Sequence, residues 1–85
     1  MMAEKLTKSQ RDALRLIMEN DGNISLGRFF GGEFKVEPIG EARIRIDTFW
    51  KLRDAGLLTL VHRAQFYQRY IISDAGRAVV EDDAS

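Results

Sequence analysis

Near the middle of the chain, Arg43, Arg45, Thr48 and Lys51 bring guanidinium, hydroxyl and ammonium donors into one short stretch. Donors of these kinds on a non-apolar helix face are what hydrogen bonding to phosphate oxygens and base edges in a major groove requires. Asp47 lies among them and repels phosphate unless it orients an arginine or accepts from a cytosine amino group. A second set, Arg63, Gln65, Gln68 and Arg69, flanks a short turn. A hairpin tip carrying arginines can reach phosphate or a minor groove. The bland reading of both sets is a solvated helix face and an exposed hairpin, which would look much the same.

Other chemistries lack their parts. There is no Gly-x-x-x-x-Gly-Lys-Ser/Thr loop, and no Gly-x-Gly-x-x-Gly follows a strand. The glycines from Gly27 to Gly32 enclose Phe29-Phe30, which suits packing better than phosphate. His62 has no serine nucleophile in a recognisable motif around it, so a solvated or phosphate-touching histidine is expected. With one histidine and no cysteine, thiolate and multi-histidine metal sites within one chain are excluded, as are disulfides. Glu81, Asp82 and Asp83 read as an exposed acidic tail. The expectation is therefore a chain that is not an enzyme and uses no cofactor and no metal.

With 85 residues, 45% of them apolar, one small globular domain is expected over residues 1–85, with frayed tails at 1–5 and 81–85. No apolar run approaches the roughly 20 residues that span a bilayer, and the N-terminal stretch lacks a signal-peptide core. A cytoplasmic protein with no membrane partner is expected. The net charge of zero hides a segregation: residues 43–70 carry +4 and residues 71–85 carry −3. A generic nucleic-acid binder is basic overall, and this chain is basic only locally.

The elements that must position these residues have readable edges. Thr7 with Gln10 forms a capping-box pattern, and Ala13, Leu14, Ile17 and Met18 recur at helical spacing until Asp21-Gly22-Asn23 stops the helix. Ile24-Ser25-Leu26 suits a short strand. Residues 24 to 40 otherwise admit a hairpin turning at Gly31-Gly32, or a short helix with Leu26, Phe29 and Phe30 on one face. Irregular structure with a short helix or strand is the expectation, ending at Pro38. From about Glu41, Ala42, Ile46, Phe49 and Leu52 make a buried helical stripe, although the alternation Ala42-Arg43-Ile44-Arg45-Ile46 also fits an extended start. Gly56 fits a Schellman stop with Leu52 and Leu57 in its apolar contact. Two runs rich in β-branched and aromatic residues follow, Leu58 to Arg63 and Tyr67 to Ile72, joined tightly through Ala64-Gln65-Phe66. Tyr70 and Ile72 share one strand face and should fill the core. Ser73 then caps a last helix from Asp74 to about Val80. Trp50 sits beside Phe49 at the stripe's edge, where it packs within the monomer or faces a partner.

The run Thr48-Phe49-Trp50-Lys51-Leu52-Arg53-Asp54-Ala55-Gly56-Leu57-Leu58, then Tyr70-Ile71-Ile72-Ser73-Asp74-Ala75-Gly76-Arg77-Ala78, resembles small bacterial and phage winged helix-turn-helix regulators, broadly MarR-like. The likeness covers residues 48 to 78 well and the first helix only generically. The chain departs from that pattern in lacking a plain second helix, in its short wing and in lacking flanking dimerisation helices. The resemblance implies an α+β winged helix-turn-helix fold, with three or four helices and a small antiparallel sheet. It implies binding of double-stranded DNA, as a transcriptional regulator and homodimer, through a recognition helix at about 41–55 and a wing at about 58–72. The expected DNA-binding residues are Arg43, Arg45, Thr48, Lys51, Arg63, Gln65, Gln68 and Arg69, and the candidate subunit or partner contacts are Trp50, Phe29 and Phe30. The alternative is a protein-interaction module on the same scaffold that binds no DNA, suggested by the zero net charge, the acidic tail and the aromatic segment Phe29 to Phe34.

Overall fold

The computed structural model describes residues 6–28 and 32–84. The first helix, α1 (Lys8–Glu19), begins on the expected box: the Gln10 amide donates to Thr7 Oγ1 at 3.1 Å, and the Thr7 amide donates to Gln10 Oε1 at 3.0 Å. Its apolar stripe buries Ala13, Leu14 and Ile17. Asp21 and Gly22 then both take left-handed conformations, at φ 59° and 77°, which reverses the chain into β1 (Asn23–Gly27).

β1 pairs with β2 (Lys35–Val36) on one side and β4 (Tyr67–Ile72) on the other, and β4 pairs with β3 (Leu58–Ala64). All pairings are antiparallel and the sheet order is β2-β1-β4-β3. Between β2 and β3 lies α2 (Ile46–Asp54), and α3 (Asp74–Ala84) follows β4. The described residues thus make an α+β fold of three helices and a four-stranded antiparallel sheet. Because side chains alternate across a strand, Ile24, Leu26, Val36, Leu58, Tyr70 and Ile72 all point to the helix-bearing face, where each is buried. Phe49 of α2 sets its ring edge-on against Tyr70 at 4.9 Å, and Trp50 sets its ring edge-on against Phe49 at 5.1 Å. Among the described residues the opposite face, with Thr59, His62, Tyr67, Arg69 and Lys35, carries no helix.

The Schellman stop closes as expected. Gly56, at φ 79°, donates to the Arg53 carbonyl, and the Leu57 amide donates to the Leu52 carbonyl, both at 3.0 Å, with both leucines buried. Ser73 caps α3 by accepting from the Gly76 amide at 3.1 Å.

Several expectations need correction. The helix expected over about 41–55 begins only at Ile46. Ile39 and Ala42 close a tight turn with mutual backbone hydrogen bonds, and Arg45 is extended at φ −68°, ψ 146°. Extension wins because it alternates Arg43 and Arg45 outward with Ile44 inward, where Ile44 joins Val36 in the core. Between α1 and α2 the described residues hold no helix, and β2 with this extended segment fills the interval. A two-residue Gly31-Gly32 turn would set Leu26 opposite Glu37. The observed register sets Leu26 opposite Val36 instead, because it buries both side chains on the core face. Ala64 belongs to β3, leaving Gln65-Phe66 as the turn. The expected frayed tail at 81–85 is helical through Ala84, since α3 does not stop at Val80. Ser85, residues 1–5, Phe29 and Phe30 lie outside the described residues.

Candidate nucleic-acid interface

The late start of α2 rearranges the first set of donors. Arg43 and Arg45 project from the extended segment, not from a helix face, and with Lys35 of β2 they surround Val36, Ile44 and Ile46. The same two arginines and the half-buried Thr48 border a shallow concavity against Ser9, Asp12 and Leu16 of α1. Asp47 performs the orienting role: its Oδ1 lies 3.4 Å from Arg45 Nε and accepts the Thr48 amide at 3.1 Å. A carboxylate in the first turn of a helix is also favoured by the helix dipole. The Arg45–Asp47 pair is solvent-exposed on both sides, so it fixes little energy and leaves most of the guanidinium free to bond elsewhere. Lys51 is not part of this cluster. It lies at the other end of α2, over a concavity of about 630 Å³ shared with Leu6, Gln10, Asp54, Ala55, Leu57 and Val79.

The hairpin divides its own four residues in two. Gln68 and Arg69 are neighbours in β4 and therefore point to opposite faces. Arg63, Gln65 and Gln68 meet on the helix-bearing side, together with Arg28, Phe34 and Ala64. Arg69 lies on the open face, in the row that also holds His62, whose ring is 5.8 Å from Tyr67. Tyr67 in turn shares a 3.1 Å hydrogen bond with Ser25 across the sheet.

Sequence reasoning missed Arg28 and Lys35, and read Phe34 only as part of an aromatic segment that suggests a protein partner. Arg28 holds the hairpin tip to the end of β1: its amide donates to the Phe66 carbonyl at 3.1 Å and its Nε to the Gln65 carbonyl at 3.0 Å. Its guanidinium also lies 4.8 Å from the centre of the Phe34 ring. The pairing of β1 with β4 puts the residue after the strand beside the hairpin turn. Phe34 lines the concavity under the hairpin tip and Lys35 the one beside Arg43 and Arg45, so consecutive residues border both. Among the described residues no carboxylate pairs with Lys35, Arg43, Arg63 or Arg69, whereas Arg53 is held by Asp54 at 2.8 Å. That hydrogen bond raises the Arg53 pKa against its partial desolvation. Its guanidinium stacks 4.3 Å from the centre of the half-buried Trp50 ring.

Among the described residues there is no cluster of three potential metal ligands, and no helix is long and apolar enough to cross a membrane. Compared with family models, curated proteins and solved structures, the chain matches none.

Proposed function

We propose that this chain is a winged-helix-like domain that binds double-stranded DNA as a transcriptional regulator, using the start of α2 and the β3–β4 hairpin as its two contacts. The element order α1-β1-β2-α2-β3-β4-α3, with β1 beside β4 and the β3–β4 hairpin following α2, supports the winged-helix-like reading, with β2 in place of a second helix. The observation that carries DNA binding is a two-part band of cations, Arg43, Arg45 and Lys35 in one concavity and Arg28 and Arg63 in another, bordered by the consecutive residues Phe34 and Lys35. Recognition helices contact bases near their N-termini, and wings contact phosphate beside them. Past its first turn α2 exposes Asp54 beside Lys51, so affinity is concentrated at its start. Arg69 lines neither concavity and is not part of this contact.

Duplexes of random and genomic sequence, titrated by fluorescence anisotropy at several salt concentrations, test the reading. Arg43→Ala with Arg45→Ala should weaken binding about 10-fold or more, with an unchanged circular dichroism spectrum. No binding even at about 20 mM salt would overturn it. The second reading, a protein-interaction module, is favoured by Leu60, Val61 and Phe66, which are exposed along the edge strand β3 and at its turn. Failure to bind DNA together with self-association lost on Val61→Lys would favour it.

A further inference from the structure

The concavity beneath the hairpin tip has an unusual polarity for a surface that contains two amides. Its polar lining is Arg28, Arg63, Gln65 and Gln68, with Phe34 and Ala64 as its apolar part, and no carboxylate takes part. Glu33 precedes Phe34 in the chain but does not line it. A glutamine normally offers both donor and acceptor. Here the acceptor is occupied: the hydroxyl of buried Tyr70 donates to Gln68 Oε1 at 2.9 Å. The amide of Gln68 is thereby fixed with its NH₂ as the end left over. Arg28 spends Nε on the Gln65 carbonyl, which anchors the guanidinium and leaves both terminal nitrogens available. What remains unspent around the concavity is two guanidinium groups, the Gln68 NH₂ and the side-chain amide of Gln65, so donors outnumber acceptors and no carboxylate lines it.

We propose that Arg28, Arg63 and Gln68 form a phosphate-binding pocket under the hairpin tip, with Tyr70 as a positioning residue that orients the Gln68 amide. Planar guanidinium groups match phosphate oxygens in pairs, and an oriented NH₂ adds a donor without the repulsion a carboxylate would bring. The ligand is a single phosphate group, either a backbone phosphodiester or a free phosphate. The proposal deepens the DNA-binding reading by assigning the hairpin's phosphate contact, yet the pocket can be tested with no DNA present.

The test is titration of the ¹⁵N-labelled protein with inorganic phosphate at constant ionic strength, against chloride, followed by the side-chain signals of Gln68 Nε2 and Arg63 Nε. Saturable shifts confined to these groups and Arg28 are expected, with no matching response to chloride. Gln68→Glu, nearly isosteric, should abolish the response, because Tyr70 can still donate to it while its free end becomes a repelling oxygen. Tyr70→Phe keeps the ring against Phe49 and should weaken phosphate binding several-fold while leaving the backbone spectrum in place. Lys8→Ala, on the far helix, should change nothing. Equal shifts with chloride, or unaltered binding in Gln68→Glu, would overturn the pocket. A short duplex in the second arm separates the sources. Duplex binding that survives Gln68→Glu, without phosphate shifts, removes the pocket and leaves DNA binding standing. Phosphate shifts without duplex binding do the reverse, assigning the pocket to free phosphate.

Discussion

Gly76 sits in the first turn of α3 with no room for a side chain. A Cβ built there would lie 2.5 Å from the Leu57 carbonyl oxygen and 2.6 Å from Ile72 Cγ1, one of them rigid backbone. Alanine ordinarily gains about 1 kcal/mol over glycine inside a helix. Here that gain is outweighed, because α3 must lift away from the end of α2 and from β4. Gly76→Ala should therefore destabilise by about 2 kcal/mol or more, lowering the melting temperature by roughly 10 °C in a domain of this size. Gly56 offers the contrast: its φ of 79° is strained for alanine, but nothing stands within 4 Å of the new Cβ. Gly56→Ala should cost only about 1 kcal/mol. Thermal melts of both variants decide the point, and the reverse order would mean that α3 does not dock this closely. The two glycines also differ in legibility. Gly56 follows an apolar helical stripe and precedes leucine, a local pattern with a local cause. Gly76 is required by residues 57 and 72, and no spacing along the chain announces that approach. The same distinction separates Gln68 from Arg69: both are polar and adjacent, and only the pleat decides which joins Arg63.

Elements whose ends are set by neighbouring side chains were readable, and those whose ends are set by distant contacts were not. Thr7 with Gln10, Gly56, and Ser73 each mark a boundary through hydrogen bonds within a few residues. The start of α2 was ambiguous because Ala42, Ile44, Ile46 and Phe49 satisfy both an alternating and a helical pattern. Burial of Ile44 beside Val36 settles it, and β2 itself exists only by pairing with β1. The consequence for the site is direct, since Arg43 and Arg45 face Lys35 and not Lys51. Ser73 joins two elements at once: Oγ accepts from the Gly76 amide and donates to the Gly56 carbonyl at 2.7 Å, while its amide donates to the Leu57 carbonyl at 2.9 Å. Ser73→Ala should cost about 1–2 kcal/mol in urea denaturation, the upper part of the range for a lost N-cap, because the tie to α2 goes with it. Ser73→Thr, which keeps both hydroxyl bonds, should retain most of the stability. Ser73→Asp keeps the capping acceptor but cannot donate to Gly56, so it should fall between the two. Equal losses in all three would show that the hydroxyl does not join these helices.

At the scale of the whole molecule, a net charge of zero conceals a dipole laid along the β3–β4 hairpin. The turn at Gln65-Phe66, with Arg63 and Arg28 beneath it, is one end, and β4 leads from there to α3, which opens on Asp74 and carries Glu81 and Asp82. Net charge alone would argue against nucleic acid, but phosphate responds to local potential within about 10 Å at ordinary salt. On that scale the band of Arg28, Lys35, Arg43, Arg45 and Arg63 acts with Asp12 and Asp47 at its margin and with Glu33, Glu37 and Glu41 each two residues along the chain from one of its cations. If most of these five cations each displace one counterion, log Kobs should fall against log salt with a slope of about −3 to −5 per bound copy. The band is short, and one copy has a modest interface, so useful affinity calls for two copies on half-sites about one helical turn apart. That arrangement doubles the slope to about −6 to −10 on a two-fold symmetric site, with two copies per duplex by sedimentation. A random duplex should retain the single-copy slope. A slope near zero on both would mean that the molecule meets its partner as the neutral body its composition describes, and that the cationic band has another ligand.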